Sequence, residues 1–240
     1  PGFVETNDEV EGEPTTYSPM GMSLSSGGDP TRFARVREGV VRVQDEGSQL
    51  AALVLSRHHE VIPGEQWLDM CAGPGGKAAL LAAEAAVDGA ELTANEVIPG
   101  RAELVRHALS ILPEVQVVTG DGVDIGPEYP NTYDRILLDA PCTGLGALRR
   151  RPEARWRKSP KDVGDLTGLQ AQLLTSALQA LKPGGVLAYV TCSPHLAETR
   201  GIVEGALRKN PHVSELDARE ALGQVAMQPM DIAGDSLSVQ

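Results

Sequence analysis

The sequence predicts a doubly wound, Rossmann-like α/β fold built on a mostly parallel sheet. Three observations carry that expectation. From Trp67 onward, short β-rich runs alternate with helix-length segments. A glycine-rich turn, "DMCAGPGGKAA", separates the first of these strands from its helix. Acidic residues recur at the ends of successive strands, the edge where open α/β sheets bind ligands. Strands joined by crossover helices pair in parallel, are covered on both faces, and connect with right-handed chirality.

Residues 1–40 read as an extended N-terminal arm or linker, because the first thirty are rich in Gly, Pro, Ser and acids and show no period. Residues 41–240 read as the folded domain. The stretch "TRFARVREGVVRVQDEGSQLAALVLSRH" passes from a short strand-like piece into a helix starting near Asp45, with "DEGSQ" in its first turn. Next come the strand "QWLDMC", the helix "KAALLAAEAA", the strand "ELTANE", the helix "GRAELVRHALSIL" and the strand "VQVVTG", followed by a loop. "DRILLDA" is then a strand, followed by a basic loop, the helix "LTGLQAQLLTSALQAL", the strand "GGVLAYVT" and the helix "AETRGIVEGALRK". "HVSELD" is a candidate sixth strand. None follows it before Gln240, so a complete sheet is expected to need chain beyond that point.

Composition narrows the function classes. With 41% apolar but only 3% aromatic residues, Ala, Val and Leu must fill the core. No apolar run is long enough to span a bilayer and no signal pattern opens the chain, so a cytoplasmic protein is expected. The three cysteines, Cys71, Cys142 and Cys192, lack metal-ligand spacing; reduced thiols and no metal are expected. A net charge of -12 opposes wholesale nucleic-acid binding, but residues 149–161, "RRRPEARWRKSPK", form a local basic stripe. Such a stripe is either a solvated loop or a nucleic-acid footprint.

The glycine turn lets backbone N–H groups approach a ligand at a helix N-terminus, which favours negative charge. Gly73, Gly75 and Ala78 fit the dinucleotide-type pattern, and Glu96 ends the next strand where an acid holds ribose hydroxyls. A nucleoside-type cofactor follows; NAD and S-adenosylmethionine are not separated by this evidence. Asp121 and Asp139 end later strands on the same edge, whereas Asp69 is the acid best read as structural. Cys142 in "APCTG" and Cys192 in "TCSP" follow strands that neighbour each other in most doubly wound sheets. Both thiols should therefore reach one cleft, each in a polar turn able to lower its pKa.

Taken together, "DMCAGPGGK", "DAPCTGLG", the basic loop and "TCSPHLAE", with "VQDEGSQLAALVL" upstream, resemble the motif series of the Sun/RsmB (NOL/Nop/Sun-type) family of RNA cytosine-5 methyltransferases. The likeness covers most of residues 41–207. It implies a class I S-adenosylmethionine-dependent methyltransferase fold, with residues 41–240 as the catalytic domain and ribosomal RNA as the partner. The bacterial members modify small-subunit rRNA and carry an extra N-terminal RNA-binding domain, which lies outside this chain.

By that resemblance Cys192 is the nucleophile that adds to cytosine C6, Cys142 assists release, and Asp139 contacts the base near N3 beside the cofactor. Cys71, Ala72, Gly73, Pro74, Gly75, Gly76 and Lys77 wrap the cofactor's methionine part. Glu96 takes the ribose hydroxyls, helped by Arg101, and Asp121 meets the adenine. Arg149, Arg150, Arg151, Arg155, Arg157 and Lys158 contact RNA backbone, while Trp156 either stacks on a base or anchors its loop. Three other readings stand beside this one: a DNA cytosine-5 methyltransferase with Cys142 as nucleophile, an NAD-dependent oxidoreductase, and a binding protein that has lost turnover. The second lacks a Tyr-x-x-x-Lys or other hydride-transfer constellation.

Overall fold

The computed structural model describes residues 12–24, 28–112, 115–148, 156 and 159–230. The chain opens with a hairpin, β1 (Gly12–Pro14) against β2 (Met22–Leu24), then a short helix α1 (Ala34–Arg37) and α2 (Glu46–Ser56). Then follow β3 (Gln66–Asp69), α3 (Gly76–Asp88), β4 (Glu91–Asn95), α4 (Pro99–Ala108), β5 (Gln116–Val118), α5 (Gly122–Glu128) and β6 (Tyr133–Asp139). The chain closes with α6 (Pro160–Ala180), β7 (Leu181–Val190), α7 (Arg200–Lys209) and α8 (Ala218–Val225).

Strands β3 to β7 form one parallel sheet in the order β5-β4-β3-β6-β7. Side chains alternate between its faces, as strand geometry requires. Trp67, Leu92 and Leu137 enter one core with Leu50, Leu53 and the small residues of α3. Leu68, Ile136 and Leu138 enter the other with Leu173, Leu174, Ala177 and Ile202 of α6 and α7. Burial on both faces explains the near-continuous apolar strands. The strand order reverses between β3 and β6, so the crevice beyond their carboxyl ends is the position this architecture offers a ligand.

Each element has a local cause. Asp45 caps α2 by accepting the Gly47 N–H at 3.1 Å. The α2 first turn also holds the hairpin: Glu46 accepts the N–H groups of Tyr17 (2.6 Å) and Ser18 (2.8 Å), and the Ser18 hydroxyl donates to Gln49 (2.7 Å). Helix α3 starts at Gly75, whose φ of +100° and 2.6 Å clearance between an added Cβ and Ala108 Cβ admit only glycine. Near the amino end of β6, away from the strand carboxyl ends, Arg135 is fully buried. It donates to Glu65 (2.8 Å) and to the carbonyls of Leu55 and Ser56, over the Trp67 ring.

Four local expectations are corrected. No strand forms between Thr31 and Gln44: Asp29 caps a turn of 3₁₀ helix at Pro30–Arg32, Arg37 donates to the Thr31 and Arg32 carbonyls, and the short α1 forms instead. The loop after β5 contains α5, started by Asp121, which accepts the Val123 N–H at 3.0 Å. Helix α6 begins before Leu166, because Ser159 and Asp162 form a capping box. "HVSELD" is not a strand: Glu215 pairs with Arg200 of α7 at 2.9 Å and Asp217 caps α8, drawing the segment onto helices. Among the described residues no helix is long and apolar enough to cross a membrane.

Candidate active site

The site lies where β3, β4, β6 and β7 end. The glycine turn leaves β3 and is pinned by its neighbour, since the Ala72 N–H donates to the Asn95 carbonyl at 2.8 Å. Glu96 is 3% exposed; it accepts the Gly73 N–H and the Ile98 N–H, each at 3.0 Å. Arg101 closes the ring, donating to the Gly73 carbonyl at 2.7 Å and lying 3.6 Å from the Glu96 carboxylate. A Cβ at Gly73 would collide with Glu96 Oε2 and the Arg101 guanidinium, so a larger residue there would displace both.

Lys77, in the first turn of α3, reaches across to Asp139 at the end of β6, Nζ to Oδ2 at 2.7 Å. Asp69 lies beneath them, 1% exposed, and its Oδ1 has no hydrogen-bond partner among the described residues. Burial first, then the Asp139 charge, pushes its carboxyl up to about 7. Burial likewise pushes the Cys71 thiol up, so this cysteine offers the turn its backbone and not a thiolate. Asp121 is exposed at the β5 end, in the same row.

Cys142 and Cys192 converge. Their sulfurs are 3.4 Å apart, although the residues are 50 positions distant in the chain. The parallel register sets this: Asp139 pairs with Val190, so each cysteine follows shortly after one end of that pair. Gly146 donates its N–H to the Cys192 carbonyl at 2.9 Å and a Cβ there would stand 2.8 Å from that oxygen, which explains glycine at this approach. The pair shares protons unequally. The Cys192 S–H bond to Cys142 is the main cause that pulls Cys142 down to about 6, helped by Thr191 and the Gly144 N–H. Cys192 is pushed up, by its contact with Cys142 first and then by burial. One negative charge therefore forms readily on the pair and a second does not.

Two residues that sequence reasoning passed over belong to this architecture. Buried Asn95 donates to the carbonyls of Met70 (3.0 Å) and Gly120 (3.1 Å), tying the ends of three strands. Buried Glu198 bonds both cysteine turns. His195, which follows the TCS turn, accepts the Ala197 N–H and caps a turn of 3₁₀ helix. Of the basic stripe, Arg149, Arg150, Arg151, Arg155, Arg157 and Lys158 lie outside the described residues; Trp156 is 82% exposed.

The 16S rRNA methyltransferase RsmB/F profile matches residues 55–231. The chain is 52% identical over 211 residues to a Mycobacterium tuberculosis protein named as a methyltransferase, covering 88% of this chain and 45% of that protein. It is 35% identical over 210 residues to Ribosomal RNA small subunit methyltransferase B of Pseudomonas putida, covering 86% and 47% respectively. The chain thus spans about half the length of the curated relatives it matches. Among solved structures, a methyltransferase homologue from Pyrococcus horikoshii superimposes with a TM-score of 0.68 at 31% identity, over 82% of this chain and 61% of that one. NSun6 from the same organism, solved with SFG, gives 0.67 at 29% identity over 76% and 46%. The sheet order and the placement of the glycine turn are those of the Rossmann-like class I methyltransferases, whose cofactor is S-adenosylmethionine. On the profile match and these identities, the chain belongs to the RsmB/F family of 16S rRNA methyltransferases.

Proposed function

We propose that this chain carries the catalytic domain, residues 41–240, of an enzyme that methylates C5 of cytosine in RNA, with small-subunit ribosomal RNA as substrate and the cytoplasm as its location. The observation that carries the reading is the pair of sulfurs 3.4 Å apart on the sheet edge that also holds the glycine turn and the Lys77–Asp139 pair.

The residues fit S-adenosylmethionine. Gly73 leaves room where a Cβ would collide, Glu96 is a buried acid at the end of β4, and buried Asp69 Oδ1 has no hydrogen-bond partner among the described residues. Cys71, Ala72, Gly73, Pro74, Gly75, Gly76 and Lys77 would hold its methionine end, Glu96 and Arg101 its ribose, and Asp121 its adenine. When bound, it supplies an electrophilic methyl group on a sulfonium centre.

Cytosine C5 is a weak nucleophile until a sulfur adds at C6, which splits one hard step into two easier ones. Cys192 is the more exposed of the pair, which supports it as the sulfur that adds. Its proton passes to Cys142, which hands it on to N3 of the base; Asp139 hydrogen-bonds that edge, and Lys77 holds Asp139 in place. The electron pair of the C5–C6 double bond is then available at C5. In release the Cys192–C6 bond breaks with its electron pair going to Cys192 as a thiolate, the C5 proton goes to Cys142, and N3 gives up its proton to solvent, which leaves neutral 5-methylcytosine. Arg149, Arg150, Arg151, Arg155, Arg157 and Lys158 would hold the RNA backbone, and exposed Trp156 offers a stacking face.

One observation favours a second assignment of the sulfurs. The first negative charge on the pair rests on Cys142, which would suit Cys142 as the nucleophile, the arrangement of DNA cytosine-5 methyltransferases. The experiment that tests the main reading is incubation of the protein with methyl-labelled S-adenosylmethionine and ribosomal RNA, followed by nucleoside mass spectrometry. Labelled 5-methylcytidine is expected; label on another atom or base overturns it.

Glu96→Ala is expected to weaken S-adenosylmethionine binding by about 1–3 kcal/mol, the worth of hydrogen bonds to a buried charged acceptor. Calorimetry reads this directly, and unchanged affinity removes Glu96 from the ribose role. The same titration with NAD in place of S-adenosylmethionine is expected to show no binding.

A further inference from the structure

Glu198 stands six residues beyond Cys192 and is fully buried, yet the chemistry above gives it no part. Its Oε1 accepts the Thr143 N–H at 2.8 Å and the Gln170 Nε2–H at 3.2 Å. Its Oε2 accepts the hydroxyls of Thr143 and Ser193. The Tyr189 hydroxyl fixes its own carbonyl at 2.8 Å. Thr143 is the residue after Cys142, and Ser193 is the residue after Cys192. One carboxylate thus grips both cysteine turns, each at the position next to its sulfur. Burial, the largest single influence, raises its pKa, but the bonds from Ser193, Thr143 and Gln170 together outweigh it and keep the carboxyl below the usual range.

We propose that Glu198 is a positioning residue: its carboxylate clamps the two cysteine turns together and so sets the separation of the two reactive sulfurs. This rests on the proposed function only for the use made of those sulfurs. The physical basis is that four buried donors converge on one anion, and without it they must separate to find other acceptors. The contact between the sulfurs, 3.4 Å long, is lost once the turns part, because hydrogen bonding fails steeply with distance.

The separation has its own signature. Cys142 ionises easily only while the Cys192 S–H reaches it. Among the described residues, the charged and titratable groups facing the pair are Asp139 and Lys77 across the cleft, Tyr189 on β7, and Glu198 itself. Removing the Glu198 charge would by electrostatics alone make a nearby thiol ionise at lower pH. A clamp predicts the opposite sign.

The test is an ultraviolet thiolate titration of the purified protein, with the signal assigned by its loss in Cys142→Ala. The wild type is expected to show a midpoint at about 6. In Glu198→Ala the midpoint is expected to rise by one unit or more toward the ordinary cysteine value of about 8.5. Glu198→Asp keeps the charge but is one methylene too short to hold both turns. It should show the same rise, and it serves if the alanine variant does not fold. Glu198→Gln keeps the shape and should hold the wild-type midpoint or fall below it. Calorimetric affinity for S-adenosylmethionine should not change in any of them. A folded Glu198→Ala or Glu198→Asp with the wild-type midpoint overturns the clamp. A midpoint that rises in protein whose wild type methylates no RNA leaves the clamp standing and overturns the proposed chemistry instead.

Discussion

Replacing Cys192 by alanine is expected to abolish methyl transfer and, with it, every covalent protein–RNA complex. The loss should be on the order of 10⁴-fold or more, the scale seen when a nucleophile that works as one unit with its partners is removed. The cause is chemical, not structural. Cys192 is exposed, its side chain supports no core, and alanine leaves the Gly146 bond to its carbonyl in place. S-adenosylmethionine should therefore bind the variant as it binds the wild type, and the melting temperature should change little. The measurement is transfer of labelled methyl to ribosomal RNA, beside a denaturing gel that detects the covalent complex. If the variant retains the complex while Cys142→Ala loses it, the nucleophile is Cys142 and the roles of the two sulfurs are exchanged.

Cys142→Ala should give the converse phenotype. With Cys192 free to add but no neighbouring sulfur to take the C5 proton, the adduct accumulates. A slowly migrating protein–RNA band is expected to persist on a denaturing gel, with turnover reduced on the order of 10²–10⁴-fold, the usual worth of a positioned acid or base. The same substitution removes the acceptor of the Cys192 S–H, so adduct formation should shift to higher pH as well. The sign follows from the structure: Cys142 is held below the ordinary thiol range by that bond, and without it the remaining thiol must ionise unaided. A variant that turns over at the wild-type rate, with no trapped band, would sink the release role.

Much of this site was legible as text. The turn "DMCAGPGGK" could be placed between a strand and a helix because strand and helix periodicity are local properties of neighbouring residues. The acids Glu96, Asp121 and Asp139 could be put on one edge because alternating β and α segments leave their strand ends on the same side. Where short-range reading failed, longer-range packing had decided. "HVSELD" reads as a candidate strand but is claimed by Arg200 and by the α8 cap. The strand-like piece before α2 yields to turns closed by Asp29 and Arg37. Glu198 gave no local signal at all, since a glutamate in the first turn of an expected helix reads as an exposed residue.

The sequence by itself determined the fold class, the family motifs and the fact that two cysteines each follow a strand. Only the tertiary structure decided that their sulfurs stand 3.4 Å apart and that one buried carboxylate holds both turns. The reason is range: element type is written in the chemistry of adjacent residues, whereas a contact between positions 50 apart depends on the β6–β7 register and on everything packed around it.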